Sequence, residues 1–126
     1  MKTLAQIALA LLFTTTAFTA EPVKHVQAAE AAALIAKGGV VIVDVRTADE
    51  FAEGHIADAR NIDINAADFA AQLAKLDKTK PTLVHCQAGG RSTRALKTFQ
   101  ELGFEHLIHL DDGFGGWADA GKPVVK

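Results

Sequence analysis

The segment VVIVDV at residues 40–45 gives the strongest indication of the fold, because five of its six residues are β-branched and only Asp44 is polar. A run without polar alternation is typical of a strand that is buried on both faces of a parallel sheet. Two further segments, TLVHC (82–86) and HLIHL (106–110), have the same character, and RNIDI (60–64) predicts a shorter strand. The sequence therefore predicts at least four strands.

Helical patterns separate these strands, so the strands are expected to pair in parallel through right-handed crossovers. Glycines follow two of the helices, and Thr47 with Glu50 forms a capping box at the start of a third. The closing segment, residues 111–124, is predicted to be a loop. We predict an α/β fold with a central, mostly parallel sheet of four to five strands and helices on both faces. The predicted helices are HVQAAEAAALIAKG (25–38), TADEFAEG (47–54), AADFAAQLAKL (66–76) and residues 92–102.

The first twenty residues differ in composition from the remainder of the 126-residue chain. A lysine precedes an apolar run and then small residues, which predicts a signal peptide at 1–20 with cleavage near 17–20. An uncleaved membrane anchor is the alternative reading. Residues 21–126 are then a single domain, expected to be periplasmic or secreted, free of the membrane and monomeric. A formal charge of −2 without a basic stripe argues against nucleic acid as a partner.

Cys86 is the only cysteine of the chain. An unpaired thiol in an oxidising compartment is either deeply buried or kept for its reactivity. Cys86 closes a predicted strand of a parallel sheet, and ligands of such sheets bind beyond the carboxyl ends of the strands. The fold thus puts the thiol where chemistry is expected.

The segment CQAGGRS (86–92) predicts an anion-binding loop. Gly89 and Gly90 allow backbone N–H groups to turn inward, and a helix starting near Ser92 adds its positive end. With the charge of Arg91, these features favour a thiolate, the nucleophilic form of cysteine. The alternative is a buried cysteine beside an ordinary turn.

The spacing of the cysteine and the arginine favours one class of reaction over another. Four residues separate Cys86 from Arg91, whereas cysteine phosphatases need five, and here the sixth position after the cysteine is Ser92. The narrower loop favours sulfur carried as a persulfide over a tetrahedral phosphate or arsenate.

Three ordered motifs give the chain a specific resemblance to the rhodanese sulfurtransferases. They are DVRTADEFAEGHIADARNI (44–62), the loop CQAGGRS (86–92) and HLDDGFGGWADAGKPV (109–124). The resemblance extends from about Val26 to Val124, and the short form is similar to single-domain periplasmic rhodaneses. Two positions depart from the family pattern, because Asp58 and Asp112 each stand where the family commonly has glycine. The first affects a turn and the second a contact near the active loop.

The resemblance implies a ping-pong cycle in which the Cys86 thiolate takes sulfane sulfur from a small anionic donor, such as thiosulfate or mercaptopyruvate. The acceptor would be cyanide or a thiol, protein thiols included, and neither a cofactor nor a metal is required. A non-catalytic sulfur carrier and a cysteine-dependent hydrolase of the phosphatase kind are the alternatives. The residues expected to bind the donor are Gln87, Ala88, Gly89, Gly90, Arg91, Ser92 and Arg46.

Two arginines outside the loop have open roles. Arg46 lies at a strand end, where it either attracts the donor or forms an ion pair with Glu50 or Asp44. Arg94, one turn after Arg91, either widens the positive field or lies on a solvated helix face.

The histidines and the closing segment are expected to have structural rather than catalytic roles. His55 is expected to brace a loop by a hydrogen bond, with proton donation as the alternative, and His85 to point to the other face of the sheet. His106 and His109 have no cysteine or carboxylate pattern of metal-ligand spacing, so no metal site is predicted. Asp111 and Asp112 are expected to be solvated, and Trp117 with Phe114 to pack against the sheet.

Overall fold

Five parallel strands form one sheet, in the order β1-β5-β4-β2-β3. The structure is a computed structural model that describes residues 10–12 and 21–126. The strands are β1 (Lys24–Val26), β2 (Val41–Asp44), β3 (Arg60–Asn61), β4 (Thr82–His85) and β5 (Leu107–Leu110). The helices are α1 (Ala28–Lys37), α2 (Ala48–Glu53), α3 (Phe69–Leu73), α4 (Gly90–Glu101) and α5 (Gly113–Asp119).

Helices cover both faces of this sheet, which confirms the predicted α/β architecture. Alternate residues of the central strands enter two separate apolar clusters, since successive side chains of a strand point to opposite faces. On β4, Val84 packs with α3 and α4, whereas Leu83 packs with α1 and α5. Because both faces of β2 and β4 are buried, their sequences lack polar alternation.

The first strand was not predicted. His25 and Val26 were assigned to the start of a helix, but β1 pairs with β5 through Lys24–Ile108, His25–His109 and Val26–Leu110. Helix α1 begins only at Ala28, after Gln27 in an extended conformation. Val26 is the only buried residue of β1, so the strand leaves too little apolar pattern to detect.

The closing segment, predicted to be a loop, contains the helix α5. Trp117 anchors this helix, because its ring is buried against the sheet and its indole Nε1 donates to the Pro123 carbonyl at 2.8 Å. Three of the seven residues of α5 are glycines, which have poor helix propensity. Packing of the indole therefore outweighs local propensity here.

Smaller differences concern the ends of elements and one turn. Strand β3 and helix α3 are shorter than predicted, and α4 begins two residues earlier, at Gly90. Helix α2 has the predicted capping box between Thr47 and Glu50. Asp58 adopts φ +65°, the left-handed conformation that favours glycine, where the resemblance expects glycine.

The predicted signal peptide falls almost entirely outside the described residues. Within residues 10–12 and 21–126, no helix has the length and apolar composition needed to cross a membrane.

Candidate active site

Cys86 follows the last residue of β4 and lies at the carboxyl edge of the sheet, buried with 1 % of its surface exposed. The chain beyond it is tied to the start of α5. Phe114 N–H donates to the Cys86 carbonyl at 2.8 Å, and Gly115 N–H donates to the Gln87 carbonyl at 2.9 Å. Cys86 and Gln87 are therefore held at the sheet edge by main-chain hydrogen bonds.

The loop curls back so that two donors reach the Cys86 sulfur. Gly89 N–H lies 3.1 Å and Ser92 Oγ 3.3 Å from Sγ. Helix α4 begins at Gly90 and presents its N-terminal end to the same sulfur, which favours negative charge. Gln87, Ala88 and Gly90 lie on the exposed rim of the loop, whereas Ser92 is fully buried.

The two adjacent glycines have different roles, although both were expected to supply unusual backbone angles. Gly89 has φ +109°, and a Cβ on it would lie 2.4 Å from the Asp111 carbonyl oxygen. Gly90 begins the helix, and no atom of the part of the chain that the structure describes would lie within 4 Å of a Cβ on it. Only Gly89 is required by the geometry of the loop.

Opposing effects set the pKa of the Cys86 thiol. Burial raises this pKa, because it penalises the charged form. The Ser92 hydroxyl lowers it most, the nearby N–H groups of Ser92, Gly89 and Ala88 lower it further, and together these donors outweigh burial. The net direction is downward, so the site favours the thiolate.

The charge of Arg91 is paired with a carboxylate and is not free to act on the loop. Its guanidinium makes two bonds to the Glu50 carboxylate, at 2.6 and 2.9 Å, which lower the pKa of Glu50 to about 2 against the opposing effect of burial. The sequence predicts Glu50 in the capping box and as a possible partner of Arg46, but not as the partner of Arg91. A residue 41 positions away leaves no local signal of this pairing.

Arg46 is buried and braces three parts of the site. It pairs with the Asp44 carboxylate at 2.7 Å and donates to the Gly54 carbonyl at 2.8 Å and to Gln87 Oε1 at 3.1 Å. Its guanidinium carbon lies 4.2 Å from the centre of the Phe114 ring. Of the alternatives left open by the sequence, the structure shows the ion pair with Asp44.

An open cleft lies beside the loop and gives access to it. Phe114 contributes to this cleft as well as to packing, a role the sequence did not indicate. The side chains and backbone that line it are Arg46, Glu50, Glu53, Gly54, Gln87, Phe114, Ala118 and Val124.

A second group of polar residues lies behind the sulfur. His109 Nε2 is 2.7 Å from Ser92 Oγ, and His109 Nδ1 is 2.7 Å from Asp111 Oδ1. His25, on the neighbouring strand, brings Nδ1 to 2.6 Å from the same Asp111 oxygen. The expectation that no carboxylate accompanies His109 at ligand spacing is wrong, and Asp111 is not merely solvated.

His25, His109 and Asp111 place their ligating atoms within 4.8 Å of one another. Bond lengths of 2.0–2.1 Å would separate the ligand atoms of a tetrahedral zinc ion by roughly 3.4 Å. The observed N···O distances of 2.6 and 2.7 Å are those of hydrogen bonds instead. Burial raises the pKa of Asp111, but the bonds from the two histidines prevail and lower it.

The other histidines have structural positions. The ring of His55 stacks on Phe51 at 3.7 Å and its Nδ1 bonds to the Phe51 carbonyl, as a loop brace would. His85 is buried, and its Nδ1 lies 2.9 Å from the Cys86 carbonyl. Burial lowers the pKa of His85 and keeps the ring neutral. His106 pairs with Glu21 at 2.8 Å on the surface, and Arg94 is exposed on α4.

Comparisons with known proteins agree with this geometry. The Rhodanese-like domain family matches residues 27–120. The chain is 36 % identical over 94 residues to the thiosulfate sulfurtransferase GlpE of Coxiella burnetii, covering 75 % of this chain and 86 % of GlpE. It is 38 % identical over 87 residues to the uncharacterized protein slr1261 of Synechocystis, covering 69 % of this chain. The chain spans about half the length of that relative, 48 %.

Solved structures share the fold. A rhodanese-related protein from Thermoplasma volcanium superposes with a TM-score of 0.71 at 28 % identity, covering 81 % of this chain and 97 % of that protein. The family match spans most of the chain and includes the loop that holds Cys86. The chain therefore belongs to the rhodanese-like domain family.

Proposed function

We propose that the protein is a thiosulfate-type sulfurtransferase that carries sulfane sulfur as a persulfide on Cys86. One observation carries the proposal: the buried sulfur accepts bonds from Gly89 N–H and Ser92 Oγ at the N-terminus of a 12-residue helix. These donors stabilise the attacking thiolate and, afterwards, the charge of the persulfide. The likeness to GlpE supports the same reaction class.

The cycle has two displacement steps. The Cys86 thiolate attacks the outer sulfur of thiosulfate, a new sulfur–sulfur bond forms, and the original one breaks as sulfite leaves with the bonding pair. Cyanide or a thiolate then attacks the terminal sulfur of the persulfide. That sulfur–sulfur bond breaks in turn, and the Cys86 thiolate is regenerated. No external oxidant or reductant is consumed.

The compartment and the partners are part of the proposal. The composition of residues 1–20 supports export, which makes the mature domain, residues 21–126, periplasmic or secreted. A small anionic donor and a thiophilic acceptor, including protein thiols, suit a loop that opens to a cleft at the sheet edge. The domain is proposed to act as a monomer.

Steady-state turnover tests the reaction. With thiosulfate as donor and cyanide as acceptor, the protein should form thiocyanate with ping-pong kinetics, and Cys86→Ser should abolish the activity. An aryl phosphate serves as the discriminating substrate, because a phosphatase would hydrolyse it. Aryl phosphate hydrolysis without thiocyanate formation would replace the sulfurtransferase by the hydrolase. Persulfide formation without turnover would indicate a sulfur carrier.

A further inference from the structure

A continuous chain of hydrogen bonds joins the buried nucleophile to the protein surface. It runs from Cys86 Sγ to Ser92 Oγ at 3.3 Å and from Ser92 Oγ to His109 Nε2 at 2.7 Å. It continues from His109 Nδ1 to Asp111 Oδ1 at 2.7 Å and ends at His25 Nδ1, 2.6 Å from that oxygen. The first three side chains are buried, whereas Asp111 and His25 are 44 % and 53 % exposed.

The Ser92 hydroxyl has one hydrogen but three acceptors within reach: His109 Nε2, the Gly89 carbonyl at 3.2 Å and the Cys86 sulfur. An ionised Asp111 accepts a hydrogen bond from the N–H at His109 Nδ1, which leaves Nε2 of a neutral ring as an acceptor. Because His109 Nε2 is the nearest of the three acceptors, Ser92 donates its hydrogen bond to His109. The oxygen of Ser92 is left to accept the S–H of Cys86.

Shifting two protons by one position each along this chain gives a second arrangement with the same number of hydrogen bonds. The thiol proton passes to Ser92 Oγ while the Ser92 proton passes to His109 Nε2. The imidazolium now donates to Ser92 and to Asp111, and Ser92 donates to the Cys86 thiolate. One proton has left the sulfur and one has arrived on the ring, so atoms and charges balance.

We propose that His109, oriented by Asp111, is a positioning residue that takes the thiol proton of Cys86 through Ser92 and thereby holds the cysteine as a thiolate. His25 bonds to the same Asp111 oxygen and helps to hold that carboxylate in place. The inference deepens the proposed function, because it explains how a thiol with 1 % exposure loses its proton before attack on the donor.

Among residues 10–12 and 21–126, few titratable groups face His109. His25 faces it from β1, with ring centres 5.4 Å apart at an interplanar angle of 80°, and Asp111 follows it in the chain. His85 on β4 is buried and neutral, and the loop before α4 contributes Cys86. Asp111 is therefore the negative group in hydrogen-bond contact with the imidazolium.

We call the hydrogen-bonded series Cys86, Ser92, His109 and Asp111 the relay. The direction in which the pKa of Cys86 changes when Asp111 loses its charge tests this relay. Removing a negative charge near a thiolate ordinarily lowers the pKa of the thiol. The relay predicts the opposite for Asp111→Asn, since the variant withdraws support from the imidazolium that stabilises the thiolate. The readout is the rate of Cys86 alkylation by iodoacetamide as a function of pH, with Asp112→Asn as the matched control.

In Asp111→Asn we expect the alkylation pKa to rise, whereas in Asp112→Asn it should fall or stay unchanged. In His109→Gln it should rise by about one unit, which slows alkylation about tenfold at pH values below the wild-type thiol pKa and leaves the high-pH plateau unchanged. The control for that variant is His106→Gln, an exposed histidine outside the chain of bonds. A fall or no change of the pKa in Asp111→Asn overturns the relay.

The wild-type protein offers a test that does not depend on folding of a variant. Alkylating Cys86 with iodoacetamide removes the thiolate, so the relay predicts that the ring ¹⁵N signals of His109 change from those of a doubly protonated imidazole to those of a singly protonated one at the same pH. Unchanged His109 ring signals contradict it. Thiosulfate loading of the wild type, measured in parallel, separates the two proposals: predicted shifts without sulfur loading reject only the proposed function, and loading without the shifts rejects only the relay.

Discussion

At the scale of single residues, both arginines expected to bind the donor are already paired. Arg46 is neutralised by Asp44 and Arg91 by Glu50. Stabilisation of the Cys86 thiolate therefore comes from N–H groups, the helix end and the Ser92 hydroxyl rather than from a free guanidinium. The Arg91–Glu50 pair is part-exposed, so a dianionic donor can compete with the carboxylate for Arg91.

This competition predicts the effect of Glu50→Gln. The amide keeps the capping position but leaves the charge of Arg91 uncompensated, so the KM for thiosulfate should fall about threefold or more. The matched control is Glu53→Gln, which removes a charge from the same cleft without releasing Arg91. That control should change KM less than twofold. An unchanged or higher KM in Glu50→Gln would show that Arg91 does not meet the donor.

At the scale of elements, the loop between β4 and α4 depends on one glycine of an adjacent pair. A methyl group on Gly89 meets the Asp111 carbonyl oxygen at 2.4 Å and sits on a backbone with φ +109°. The Asp111 carbonyl directly follows β5, and Gly89 directly precedes α4 and donates to the sulfur, so relief of this clash disturbs the site. A methyl group on Gly90 meets nothing within 4 Å.

We therefore predict opposite effects of two neighbouring substitutions. Gly89→Ala should lower the free energy of unfolding by about 2 kcal/mol or more and slow alkylation of Cys86. Gly90→Ala should raise that free energy by about 0.5–1 kcal/mol, because alanine restricts the unfolded chain and favours the helix. Urea unfolding curves of the two variants provide the measurement. Equal effects of the two changes would contradict the role assigned to Gly89.

Elements with a strong local pattern were predictable, and weakly patterned ones were not. The β-branched run in β2 and the capping box of α2 were both read correctly, because burial and capping leave side-chain signatures. Strand β1 has three residues, of which only Val26 is buried. Helix α5 is glycine-rich and depends on tertiary packing of Trp117. Both were missed for lack of local signal.

At the scale of the whole molecule, the order of strands determines which residues meet. Cys86 and its loop could be predicted because they are contiguous in sequence and follow a buried strand. The relay could not, since it needs β1 beside β5 in the register that pairs His25 with His109. The Arg91–Glu50 pair likewise joins α2 to α4 across the sheet edge. Contacts of this kind are set by topology rather than by local pattern.

The proposed reaction depends on conversion of the Cys86 thiol to a persulfide, which intact mass spectrometry detects. The reduced mature protein is incubated with thiosulfate and compared with Cys86→Ser treated in the same way. We predict a gain of one sulfur atom that is lost on adding cyanide and is absent in the variant. An unchanged mass with both thiosulfate and mercaptopyruvate, or an equal gain in Cys86→Ser, would contradict the account.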